Sequence, residues 1–172
     1  MGREIRKVIP NWKHPIRSNG SYQPLYDESY IESINEWIKD HLLWEKGEHP
    51  DQKDVDCKRY EHFAEWGGNP TDIEYFRPNW KEDEMTWIQV YETVSEGTPV
   101  TPPFQTKDEL INYLIENGDF LDQRRRKEGV SLVSCDPWTK EQAESFIHRK
   151  WAPSGILLDG KYMSGVEGLT EI

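Results

Sequence analysis

The chain has 172 residues, 31% of them charged and 35% hydrophobic, with a formal net charge of −11 at pH 7. That length suits one ordinary domain whose core buries about two thirds of the unfolded surface without covalent staples. Nowhere do about 18 apolar residues run together, and the opening MGREIRKVIP has charges but no apolar stretch. The expectation is therefore a protein with neither signal peptide nor membrane span, kept in the cytoplasm.

Cys57 and Cys135 lie far apart and show no CxxC or metal-ligand spacing, which argues against a disulfide framework and for a reducing compartment. Eight Trp, eight Tyr and five Phe supply the large apolar surfaces that disordered segments lack. Charge is uneven: residues 1–26 carry five basic and one acidic side chain, whereas 27–96 carry nineteen acidic and seven basic. With Pro10, Pro15, Pro24 and the turn signal Ser18-Asn19-Gly20, residues 1–26 read as an irregular, extended basic arm attached to a single α+β domain over 27–172.

Between Asp27 and Lys46, Ile31, Ile34, Ile38 and Leu42 recur at helical spacing. Ser29 and Glu32 offer a capping box there and Gly47 a stop. A short helix is expected over Val55–Trp66, ended by Gly67-Gly68-Asn69-Pro70, and an ordered aromatic loop over 70–84. Thr86–Val94 alternates and is rich in β-branched and aromatic residues, so it reads as a strand. Thr106–Gly118 carries an N-cap, a capping box closed by Glu109 and a C-terminal Asn-Gly; Thr139–Lys150 repeats the pattern with Thr139 and Gln142. The segment 155–163 surrounds Asp159-Gly160, a hairpin signal. The predicted fold is a small antiparallel sheet, the strand near 86–94 plus the C-terminal hairpin, packed with three or four helices.

No phosphate-binding glycine motif is present, and no cofactor is expected. His41, His49, Cys57 and His62 fall within 22 residues but match no common zinc spacing, so no metal is assigned to them. Cys135 and His148 are near in sequence only, which is no evidence of a nucleophile and its base. Arg124-Arg125-Arg126-Lys127 forms a basic cluster between two helices; the net charge of −11 weighs against its gripping a nucleic acid and favours an intramolecular partner or a solvated loop. The acids from Asp27 to Glu96 admit a sharper reading. If Glu36, Asp40, Glu45, Glu48, Asp51, Asp54 and Asp56 share one surface, they imitate duplex phosphates and fit a basic groove on another protein; otherwise they confer solubility. The connector 95–104 is the remaining candidate, with Glu96 and Thr98 as its binding residues, against a plain reading in which Thr98 and Thr101 satisfy backbone groups.

Three segments, GREIRKVIPNWKHP, YETVSEGTPVTPPFQTKDELINYLIENG and WAPSGILLDGKYMSGVEGL, resemble a family of small uncharacterised proteins of tailed bacteriophages and prophages. The resemblance covers roughly half the chain and carries no known activity or site residue. It implies a protein working in the cytoplasm of an infected bacterium, where small accessory proteins bind and block or redirect a machine of the host. The leading expectation is thus a non-enzymatic protein that engages a host or phage protein, in anti-phage defence or nucleic-acid processing, through its acidic surface. Two alternatives stay open: an enzyme of unfamiliar type built around the 95–104 loop with Ser95, Glu96 or His148, and a minor virion or assembly component.

Overall fold

The computed structural model describes residues 2–54, 56–93, 96–129 and 134–170. The chain falls into two compact units, Met1–Pro24 with Trp80–Ile172, and Leu25–Asn79. The fold is α+β, as the sequence predicts, but the arm, the place of the hairpin, the helix over 55–66 and the buried face of the first helix need correction.

In the first unit, β1 (Gly2–Val8) is the middle strand of an antiparallel sheet. It pairs along its whole length with β4 (Trp87–Thr93), from Gly2 opposite Thr93 to Val8 opposite Trp87. On its other side Arg3 and Glu4 face Ala152 and Trp151 of the short β5 (Trp151–Ala152). The expected irregular arm is therefore a strand over residues 2–8. Its charges disguise it, because Arg3 is buried with the distant carboxylates of Asp119 and Asp122, and Arg6 is buried beside Glu4 of the same strand. The predicted hairpin forms as β6 (Gly155–Leu158) and β7 (Lys161–Ser164) across Asp159-Gly160, both at positive φ, but it stands as its own two-stranded sheet. It does not extend β4, whose neighbour is β1.

Three helices complete this unit: α3 (Lys107–Asn117), α4 (Phe120–Glu128) and α5 (Lys140–Arg149). Both predicted capping boxes are present: Thr106 with Glu109 opens α3, and Thr139 with Gln142 opens α5. Leu110 and Leu114 of α3, Phe146 and Ile147 of α5, and Val90 of β4 share one core with Trp138. Complete burial of a side chain such as Phe146 contributes roughly 1.5–3 kcal/mol.

In the second unit, Ser29 closes a capping box with Glu32 and starts α1 (Tyr30–Glu45), directly after β2 (Tyr26–Ser29). β2 runs parallel to the two-residue β3 (Phe76–Arg77). The helix expected over Val55–Trp66 is replaced by a 3-10 turn at Asp56–Arg59 and a short α2 (Phe63–Gly67). Glu65 accepts the backbone N–H groups of Glu61 and His62 at 2.9 and 3.1 Å, which sets the start of α2 well after the predicted position.

The buried face of α1 is also not the predicted one. Ile31, Ile38 and Leu42 are 51%, 44% and 51% exposed, while Trp44 is buried against Cys57 and Phe63, with Trp37 packed beside them. An indole buries more area than an isoleucine side chain and needs a partner for its N–H. Both indoles have one: Trp37 donates to the Gly68 carbonyl at 2.9 Å and Trp44 to the Glu61 carbonyl at 3.2 Å.

Candidate functional site

The unit Leu25–Asn79 holds fourteen acidic and six basic residues, a net charge of −8. Glu36, Glu45, Glu48, Asp51, Asp54 and Asp56 are exposed and Asp40 is half-exposed. Among the described residues, no lysine or arginine reaches ion-pair distance of any of these seven, and a histidine ring lies near three of them. His49 lies 4.0 Å from Asp40 on α1 and 3.9 Å from Asp51 on the following 3-10 turn, and His62 lies 3.7 Å from Glu45. His49 thus brings together carboxylates eleven residues apart. At the other end of α1, burial pushes the Glu28 carboxyl up and the nearby Glu36 and Glu32 push it further, against the pull of Arg77. Like charges are therefore held close along this helix, an arrangement that raises the local field without forming a cage for a ligand.

The candidate metal ligands have other tasks. His41 stacks on Trp37, with ring centroids 5.2 Å apart, and the Nδ1 of His49 accepts the Asp51 backbone N–H at 3.2 Å. The thiol of Cys57 is buried and held above its ordinary range, first by desolvation and then by Asp54, Asp51 and Asp56, which disfavours a thiolate. Among the described residues, no three of His, Cys, Asp and Glu come together as a metal-binding group.

The connector after β4 is tied to that strand. The Val100 N–H donates to the Val90 carbonyl at 2.8 Å, and Phe104 and Ile88 exchange a reciprocal pair at 2.8 and 2.9 Å. Thr98 donates its hydroxyl to Glu92 at 2.5 Å, and Thr101 accepts the Val90 N–H at 3.1 Å, so both threonines serve the connection. Glu96 is half-buried, and Ser95 lies outside the described residues. His148 is exposed on the last turn of α5; no hydrogen bond joins it to Cys135 among the described residues.

The basic cluster is helical. Arg124, Arg125, Arg126 and Lys127 belong to α4, where three of them line the last turn and complement its negative end. Arg125 sits 3.7 Å from Asp122, and Arg126 donates to the carbonyls of Asn117 and Cys135. Arg124 and Lys127 are exposed, so the cluster splits into two cations used by the fold and two facing solvent.

Two buried polar networks escape sequence reasoning. Arg3 donates to Asp119 at 2.6 Å and to Asp122 at 3.2 Å, and the Trp138 indole donates to Asp122 at 2.9 Å. Elsewhere, His14 reaches the Gln23 carbonyl at 2.6 Å with Nε2, which must therefore carry hydrogen, and the Tyr91 hydroxyl at 3.1 Å with Nδ1. Tyr91 is also 3.1 Å from the Gln89 side-chain oxygen, and the Trp12 indole donates to it at 3.2 Å. Neither network has a local signature, since the bonds that tie it together join residues 116 and 119 positions apart in the first and 77 and 79 apart in the second.

Comparison with protein-family models, curated proteins and solved structures finds no match for this chain. No helix among the described residues is long and apolar enough to cross a membrane.

Proposed function

We propose that this chain is a non-enzymatic accessory protein of a tailed bacteriophage or prophage that binds a basic surface on a host or phage protein and acts by occupying it. The observation that carries this reading is the run of carboxylates on one unit that, among the described residues, pair with no lysine or arginine: Glu36, Asp40, Glu45, Glu48, Asp51, Asp54 and Asp56, within a net charge of −8. Such a field speeds association with a basic groove and is weakened by salt. The resemblance of the three segments to phage proteins supplies the setting, an infected bacterium.

The test compares the wild-type chain with a variant carrying Glu36→Gln, Asp40→Asn, Glu45→Gln and Glu48→Gln in affinity capture from nuclease-treated lysate of infected cells. The reading expects a protein with a basic groove, retained at low salt, released at moderately high salt and missed by the variant. Equal retention by the variant removes the acidic surface from consideration.

A further inference from the structure

The unit built around β4 carries a groove of about 500 Å³ that is independent of the acidic surface described above. Three aromatic side chains line it: Trp87 from β4, Phe104 from the connector and Tyr113 from α3. One face of α3 also lines it, where Glu109, Asn112 and Glu116 follow each other at i, i+3 and i+7, and among the described residues no cationic side chain does.

These walls are held before any ligand arrives. Phe104 is fixed by its reciprocal backbone pair with Ile88, its ring lies 5.2 Å from that of Tyr113, and Gln123 donates to the Tyr113 hydroxyl at 3.0 Å. Glu109 spends one oxygen on the N–H groups of Gln105 and Thr106, both at 3.1 Å, leaving the other for a partner. The Trp87 indole N–H donates to no acceptor among the described residues.

We propose that this groove binds a polyproline II segment of another protein with basic residues three apart, of the form Arg-Pro-Pro-Arg. Seven residues along α3 separate Glu109 from Glu116 by about 10.5 Å. A polyproline II helix repeats its face every three residues, at a spacing of about 9.3 Å. Its two cations therefore meet the two carboxylates while the intervening prolines lie against the aromatic side chains, the mode in which proline-rich segments dock on aromatic grooves. The backbone of such a segment makes no internal hydrogen bonds, so its carbonyls are free to accept from Asn112 and from the Trp87 indole. Charge selects this occupant over a second copy of the chain, because the groove is acidic and the whole chain carries −11.

The experiment titrates the full chain with three labelled peptides, Ala-Arg-Pro-Pro-Arg-Pro, Ala-Arg-Gly-Gly-Arg-Gly and Ala-Ala-Pro-Pro-Ala-Pro, following fluorescence anisotropy and backbone amide shifts. The first is expected to bind with shifts concentrated at residue 87 and residues 103–116, the glycine peptide about tenfold more weakly because its chain is not preorganised, and the uncharged peptide more weakly still. The pair Glu109→Gln and Glu116→Gln should weaken the first peptide by about three- to tenfold. Glutamine at position 109 keeps the capping acceptor of α3, so the fold is preserved. The variant neutralised at Glu36, Asp40, Glu45 and Glu48 should bind this peptide like wild type. Equal affinity for the three peptides, an unaffected Glu109/Glu116 variant, shifts elsewhere, or no saturable binding at millimolar peptide would each overturn the proposal. None of these results bears on capture through the acidic unit.

Discussion

The Arg3 guanidinium donates from Nε to the Asp119 carboxylate at 2.6 Å, joining residues 116 positions apart at a site where both side chains are almost wholly excluded from solvent. Burial alone would push the Arg3 pKa down, yet Asp119 and Asp122 reverse that and hold it above the ordinary value. Asp119 has a second task, accepting the Asp122 N–H at 2.8 Å as the N-cap of α4.

Asp119→Asn keeps a capping oxygen and removes the charge, leaving Arg3 buried with Asp122 as its carboxylate partner. The expected cost is about 3 kcal/mol. Asp119→Ala removes the cap as well and should cost about 1 kcal/mol more. Urea denaturation of the two variants separates the charge from the cap.

Burial holds the His14 pKa below its ordinary 6.5, with Arg6 adding to the depression and the Gln23 carbonyl opposing it. The ring faces Tyr91, Tyr22 and Trp12, and Arg6, itself paired with Glu4, lies over the Tyr91 ring. The unfolded chain therefore takes up this proton at a higher pH than the folded one. The stability that His14 contributes is present above pH 6.5 and is lost as pH falls below that value through the folded pKa. Thermal unfolding between pH 5 and 7.5 (roughly the range in which histidine titrates) should show a steeper acid-side loss for wild type than for His14→Asn.

The Tyr91 hydroxyl has one hydrogen for two acceptors, His14 Nδ1 and the Gln89 oxygen. Tyr91→Phe removes that hydrogen and also the acceptor of the Trp12 indole, leaving buried polar atoms unmatched. The expected destabilisation is about 2 kcal/mol, read from chemical denaturation.

Replacing Ile38 or Leu42 by serine, on the exposed stripe of α1, should change stability by no more than about 0.5 kcal/mol. Trp44→Ala, on the buried side of the same helix, should cost about 3–5 kcal/mol. Circular dichroism during urea titration distinguishes the two outcomes.

What the sequence reveals here is what short-range chemistry controls. Ser29 with Glu32, Thr106 with Glu109 and Thr139 with Gln142 each place a donor and acceptor three residues apart, and each opens a helix where predicted. Asp159-Gly160 likewise turns the hairpin. β1 is illegible for the opposite reason: its charged residues become tolerable in a sheet only because Asp119 and Asp122, far along the chain, meet Arg3. The face of α1 is misread because two tryptophans with carbonyl partners outcompete a more regular aliphatic stripe. Of the candidate site, the excess of acids is plain from composition, but the meeting of Asp40 and Asp51 through His49 is not. The groove beside Phe104 depends on backbone pairing between the connector and β4 that no local motif announces.

The pairing of β1 with β4 has a consequence for how the chain assembles. Joining Val8 to Trp87 closes a loop of nearly eighty residues, a contact of high sequence separation whose entropic cost falls early in folding. The contiguous segment Leu25–Asn79 lies inside that loop and has a hydrophobic cluster of its own around Trp44 and Phe63. Its contacts span a much shorter stretch of sequence than the pairing of β1 with β4. The central sheet thus closes around a segment that contributes no strand to it.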